Sequence, residues 1–354
     1  MAATARKTTW WDGLVTPSPP ATGLMLTVAG AIWALLWFGV GPREVARFAP
    51  YLAEDARDSY AYTTGRLASL DETIDAEAPT VIITGASGVR YGIGDFDALQ
   101  RELAELVDGA RVIDLTTDDQ SVLETLSILS LVPDHFDGIV VIGANPNRYS
   151  RPTALPDPTN GFVYRLGVRA PYLDRWLDES GQAPRPTRSY FWDNRNFLLP
   201  RLGPLIGNVL RGAPTEFVPP PNNPRKATDT RWDSFARTQK TIAKRFAAEG
   251  QSNLDRMARA GAAFVERTSA TIAFLESPLA PRAAAECYGE TFLAKYDRLL
   301  TTFARQHGWP YWKLQQSAEL DEPDFFDWMH LRNEDSRSRF RAQLAQRLAD
   351  AFGS

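Results

Sequence analysis

Three side chains of this sequence have the types needed to turn a hydroxyl into a nucleophile. Ser87 lies in ITGASGVRYGI, while Asp327 and His330 lie in DFFDWMHLRNEDS. A serine hydroxyl is a poor nucleophile at neutral pH. It needs a base within hydrogen-bond reach, and the base needs a carboxylate to fix its tautomer and stabilise the imidazolium. Asp327 stands three residues before His330, so one short loop can supply both. Taken alone, Gly85-Ala86-Ser87-Gly88 also fits a tight or phosphate-binding turn, and Asp327 also fits a solvated helix-capping carboxylate. A fourth residue is Asn145, in IGANPNRYS. Its side-chain amide can donate to a developing oxyanion, and the backbone N–H of Ser87 can supply a second donor. Asn145-Pro146 also fits an Asx-Pro turn.

The elements that must position these residues follow from hydrophobic patterning. Residues 80–84 (TVIIT) are a β-branched run ending at Gly85, and this predicts a strand buried on both faces. Residues 111–115 and 138–142 predict a second and a third strand, 271–275 a fourth, and 311–314 a short fifth. Helical spacing of apolar residues recurs at 96–106, 122–131, 231–267, 281–307 and 336–352. Strand and helix alternate three times before residue 143, the pattern of an α/β fold with a parallel sheet and right-handed crossovers. Ligands bind at the carboxyl ends of such strands. Ser87 and Asn145 both follow strands, and the Asp327–His330 loop precedes the last helix.

Residues 146–229 break the pattern with a stretch rich in Pro, Arg, Asn and aromatic residues, including PPPNNP. A stretch this long reads as a functional insertion or lid. Arg148, Tyr149 and Arg151 follow the third strand and are candidates for lining an acceptor groove. Trp192, Asp193 and Asn194 are weaker candidates of the same kind.

Residues 24–40 (LMLTVAGAIWALLWFGV) carry no charge and meet the lower length limit of a spanning helix. A cleaved signal peptide and a buried core helix are the competing readings. The length of the run, the Trp near its end and the Pro42-Arg43-Glu44 that follows it favour an uncleaved anchor. Both flanks carry basic residues, so charge alone orients the span weakly. The resulting expectation is a tail at 1–23, a transmembrane helix at 24–41, a helical stalk at 42–79 and a catalytic domain at 80–354.

Composition bounds the rest. The chain has 354 residues, 44% hydrophobic and 23% charged, as in a globular protein. Its net charge of −4 lacks the basic excess of a nucleic-acid binder. The single cysteine, Cys287, excludes an intramolecular disulfide, and His135, His307 and His330 have no metal-ligand spacing.

Serine after strand one, Gly-x-Asn after strand three and Asp-x-x-His before the last helix form one constellation, and it resembles the SGNH hydrolase superfamily. The matching residues are Ser87, Gly143 with Asn145, and Asp327 with His330, over about residues 80–350 apart from the insertion. Two positions depart from the family pattern. Ala86 stands where the family has Asp, and the second-block glycine has no counterpart in DLTTDDQS, where Thr116 is the candidate replacement. The resemblance implies a three-layer, flavodoxin-like sandwich with Ser87, Asp327 and His330 as catalytic triad. It assigns Asn145, Gly143 and Thr116 to the oxyanion site and requires no cofactor. GASGVRYGI and FLESPLAPRA are similar to membrane-anchored SGNH-like proteins, including alginate O-acetyltransferase accessory proteins and the D-alanyl transfer protein of teichoic acids. That group implies an extracytoplasmic domain, a membrane-bound O-acyltransferase as partner and a polysaccharide acceptor. A carbohydrate esterase using water, or a non-catalytic scaffold of the same fold, are the alternatives.

Overall fold

The computed structural model describes residues 19–75, 77–150, 165–179, 187–215 and 217–353. The chain starts with helix α1 (Pro19–Gly39), then α2 (Pro42–Leu52) and α3 (Ser59–Ala68). The α/β unit follows as β1 (Thr80–Thr84), α4 (Ser87–Ile93), α5 (Phe96–Ala104), β2 (Arg111–Asp114), α6 (Val122–Leu131) and β3 (Ile139–Ala144). The insertion contributes α7 (Pro171–Glu179) and α8 (Arg195–Arg211). The long helix α9 (Asp229–Arg267) leads to β4 (Thr271–Glu276), α10 (Glu290–Gln306), β5 (Tyr311–Trp312) and α11 (Glu334–Phe352).

The five strands are all parallel, in the order β2-β1-β3-β4-β5. Because side chains alternate along a strand, the sheet feeds two separate cores. Ile82, Val140, Ile142, Ile272 and Phe274 face one way and pack with α6, α10 and the second half of α9. Val81, Ile83, Val141, Ala273 and Leu275 face the other way and pack with α4, α5 and α11. The result is a sheet between two helical layers. β1 and β3 are buried along their whole lengths, which is why they read as unbroken apolar runs.

Two expectations need correction, those for residues 42–70 and 281–307. Residues 42–70 form no free stalk. The Thr63 hydroxyl donates to the Thr116 carbonyl (2.9 Å), the Tyr60 hydroxyl to the Asp118 carbonyl (2.8 Å), and Arg66 pairs with Asp114 (2.9 Å). These polar ties, with Leu67 and Leu70 in the first core, lock α3 onto the sheet edge. The insertion contains regular structure, and α8 packs on α2 through Phe197 and Leu198 against Val45 and Leu52. The helix expected over 281–307 is interrupted. A turn at Pro281–Ala283 passes into a π-turn at Ala284–Tyr288 and ends at Gly289, whose φ of 79° favours glycine, before α10 begins.

α1 is long and apolar enough to cross a membrane, with mean hydropathy 1.8 and no buried residue.

Candidate active site

Ser87 is placed by two glycines. Gly85 directly follows β1 and Gly143 lies inside β3, and the two backbones touch. A Cβ on Gly143 would sit 2.5 Å from the Val89 side chain and 3.2 Å from the Gly85 Cα. This approach turns the chain sharply out of β1 into α4, so Ser87 stands at the first position of that helix, half-buried at the carboxyl edge of the sheet. The first amides of a helix have no partner within it, and the Ser87 N–H has no acceptor among the described residues.

Asp327 and His330 lie on a loop, residues 325–331, between β5 and α11. Its neck is closed by an antiparallel bridge between the buried Phe325 and Leu331 and by the Phe326 N–H donating to the His330 carbonyl (3.1 Å). Within it, one oxygen of Asp327 accepts the backbone N–H groups of Met329 (3.1 Å) and His330 (3.0 Å). The other oxygen lies 2.8 Å from His330 Nδ1. A carboxylate can only accept, so Nδ1 carries the proton and Nε2 is left as the base. His330 Nε2 lies 2.9 Å from Ser87 Oγ, across 243 residues of sequence. The imidazole packs against Tyr91 at 4.4 Å and Phe326 at 5.5 Å between ring centres, and these two rings lie 5.7 Å from each other. Side-chain exposure is 14% for His330 and 10% for Asp327, so the pair is shielded without being sealed.

Asn145 stands at the same height as Ser87. The β1–β3 register pairs Thr84 with Ile142, and each residue lies three positions further on. Its Oδ1 accepts the Arg148 N–H (2.9 Å) and caps the turn Pro146–Tyr149. That hydrogen bond fixes the amide plane. Its Nδ2 has no protein acceptor among the described residues and stays available as a donor.

Other expected site residues are placed elsewhere. Thr116 is no oxyanion donor, because its N–H (2.8 Å) and hydroxyl (2.6 Å) are both taken by Asp114 Oδ1. Gly143 serves close packing, and its carbonyl accepts from the Arg148 guanidinium. Arg148 is 2% exposed and lines no groove; it also donates to Gln120 Oε1 (3.2 Å), tying the turn after β3 to the start of α6. Tyr149 is fully buried, and burial pushes its hydroxyl up to about 12. Arg151 lies outside the described residues. Trp192 packs on Trp33 and Trp37 of α1. Asp193 binds Thr187 (2.9 Å) and Arg169 (3.5 Å), and Asn194 precedes α8 with its side-chain amide donating to the Tyr190 carbonyl (3.0 Å).

Several residues that matter were not singled out from the sequence. Tyr91 stands four positions after Ser87 on α4, so helical spacing could have found it. A strap over residues 217–228 packs along the 325–331 loop. Its Ala227 N–H donates to the Phe326 carbonyl (2.8 Å) and its Asn223 N–H to the Arg332 carbonyl (2.7 Å). Arg337, 2% exposed, clamps both parts. It donates to the strap carbonyls of Pro220 (3.0 Å) and Pro221 (2.9 Å) and to the loop carbonyl of Leu331 (2.9 Å). No short-range sequence signal marks such contacts.

No protein-family model matches the chain, and neither does any curated protein sequence.

Proposed function

We propose that this protein is a membrane-anchored serine acyltransferase of the SGNH type, moving an acyl group, most simply acetyl, onto a cell-envelope or secreted polysaccharide. The observation that carries the reading is the unbroken chain Ser87 Oγ–His330 Nε2–Asp327 at 2.9 and 2.8 Å. The distances fall within the range of a working nucleophile, base and orienting group. The doubly wound strand order, 2-1-3-4-5, with all three groups at the carboxyl edge of the sheet, supports the SGNH assignment.

In the first half-reaction His330 Nε2 takes the Ser87 proton as Oγ attacks the acyl carbonyl. The Ser87 N–H and Asn145 Nδ2 hold the oxyanion. As the tetrahedral intermediate collapses, the leaving oxygen receives the proton from Nε2 and the acyl group stays on Ser87. In the second half, His330 deprotonates a sugar hydroxyl, which attacks the acyl-serine and releases the Ser87 oxygen, reprotonated by His330. Asp327 holds the ring through both halves and stabilises the imidazolium. With α1 as a span, the natural donor is an acyl group handed over by a membrane-bound O-acyltransferase, and the catalytic domain stands on the extracytoplasmic side.

The test is covalent trapping. Wild-type protein given an activated ester should gain one acyl mass on Ser87, with Ser87→Ala unmodified. Product analysis with a polysaccharide present separates transfer from hydrolysis, as acylated sugar or free acid. Absence of acylation on Ser87, with polymer acylation in cells unchanged by Ser87→Ala, would sink the enzymatic reading.

A further inference from the structure

We infer that α8 is a membrane-seated helix that lies in the bilayer surface beside the span, giving the catalytic domain a second attachment. The inference rests on the reading of α1 as a transmembrane helix.

Helix α8 carries two faces. Phe197 and Leu198 are buried against α2, Arg201 pairs with Asp58 (3.0 Å), and Asn208 Nδ2 donates to the carbonyls of Tyr51 (3.0 Å) and Ala53 (3.2 Å). These contacts fix the rotation of the helix about its axis. The opposite face is then forced outward, and it is apolar. Leu199, Ile206, Val209 and Leu210 are 47%, 59%, 48% and 82% exposed. Their spacing of seven, three and one places them on a single stripe of a helix. Outside α1, the described residues expose eight large apolar side chains, and four of them are these. So much apolar surface on one face marks an interaction site.

The surface that covers it is set by continuity with α1. The corner just before α8 touches the span directly: Trp192 lies 5.6 Å from Trp33 and 6.2 Å from Trp37, and Phe191 lies 6.3 Å from Trp33. Trp33 is six residues before the end of α1. At 1.5 Å per residue, the corner reaches about 9 Å down the span. Three tryptophans clustered within that depth match the aromatic belt of a bilayer interface. Arg195, whose guanidinium lies 4.6 Å from the Trp192 ring, and the exposed Arg211 bracket the stripe at its two ends, where long side chains reach headgroups. An apolar stripe with a basic rim beside a span is the composition of an interfacial helix.

The test uses the full chain in vesicles of phosphatidylcholine with phosphatidylglycerol. Single cysteines replace Ile206, Leu210, Leu26 in α1 and Leu106 at the end of α5, each carrying an environment-sensitive fluorophore. Cys287 is 2% exposed, so labelling under native conditions falls on the introduced thiol. Nitroxide-bearing lipids should quench the labels at 206 and 210 nearly as well as at 26, and leave 106 unquenched. If 26 is quenched while 206 and 210 fluoresce as in water, the seated helix is wrong and the span stands. If 206 and 210 are blue-shifted but unquenched, protein and not lipid covers the stripe, which also overturns the inference. If 26 itself is unquenched, the span reading fails and takes this one with it. None of these results bears on acyl transfer at Ser87.

Discussion

At the scale of single residues, the site separates groups that do chemistry from groups that hold them. Asp327 takes three N–H groups, and that geometry sets the histidine tautomer. Asp327→Asn can keep one acceptor oxygen but presents a donor elsewhere, which favours the wrong tautomer. The acyl-transfer rate should fall by about four orders of magnitude, with the fold intact by circular dichroism. Asn145 has two duties that can be pulled apart. Its Oδ1 caps a turn, and its Nδ2 is the donor proposed for the oxyanion. Asn145→Asp keeps the cap and loses the donor, so kcat should drop at least about a hundredfold with little change in melting temperature. Asn145→Ala should lose both, adding about 1 kcal/mol of destabilisation. Thr116→Val is the converse case. Its donors serve Asp114 alone, so stability should suffer and kcat of the folded enzyme should not.

At the scale of elements, the loop over 325–331 that carries the proposed base is held by its neighbours as well as by itself. Arg337→Ala would strip donors from the buried carbonyls of Leu331 and Pro220 and from that of Pro221. At least about 2 kcal/mol should be lost in urea unfolding, since buried acceptors left unpaired are costly. Amide exchange should quicken over 220–228 and 325–331 together. Arg337→Lys should restore little, because an ammonium cannot fork to three carbonyls. Unchanged exchange in the strap would refute the clamp. Much of this scaffold was legible beforehand. β1 over residues 80–84 and α6 over 122–131 coincide with the runs read from apolar spacing, and the other strands agree within two residues at either end, because a strand buried on both faces has nowhere to hide a polar residue. Ser87, Asp327, His330 and Asn145 were legible because a nucleophile, its base and an amide donor are few in type and each follows a strand or precedes a helix. Thr116, Arg148 and Tyr149 misled because residues next to a site serve packing as often as substrate. The docking of 42–70, the strap and the Arg337 clamp were invisible because each joins segments far apart in the chain through backbone carbonyls, which every residue has.

At the scale of the whole molecule, the sheet carries a half-buried carboxyl, Glu276, whose titration should make stability depend on pH. Glu276 ends β4, accepts the Tyr311 hydroxyl (3.0 Å) from β5 and neighbours Lys313 and Asp297. Burial raises its carboxyl above the ordinary range; the Tyr311 hydrogen bond and Lys313 pull the other way without cancelling it. A raised value in the folded state means the fold binds that proton more tightly than the unfolded chain does. The stabilisation is therefore complete below the unfolded carboxyl value, about pH 4.3, and declines as pH rises through the raised value. Glu276→Gln stays neutral and keeps an oxygen for Tyr311. Its melting temperature should match wild type near about pH 4 and exceed it increasingly toward neutrality, where the ionised carboxylate is the costly form. A difference in melting temperature that stays flat across that range would mean the carboxyl is paid for by its neighbours in both protonation states, and the acid side of the stability curve would have to be sought in the paired aspartates instead.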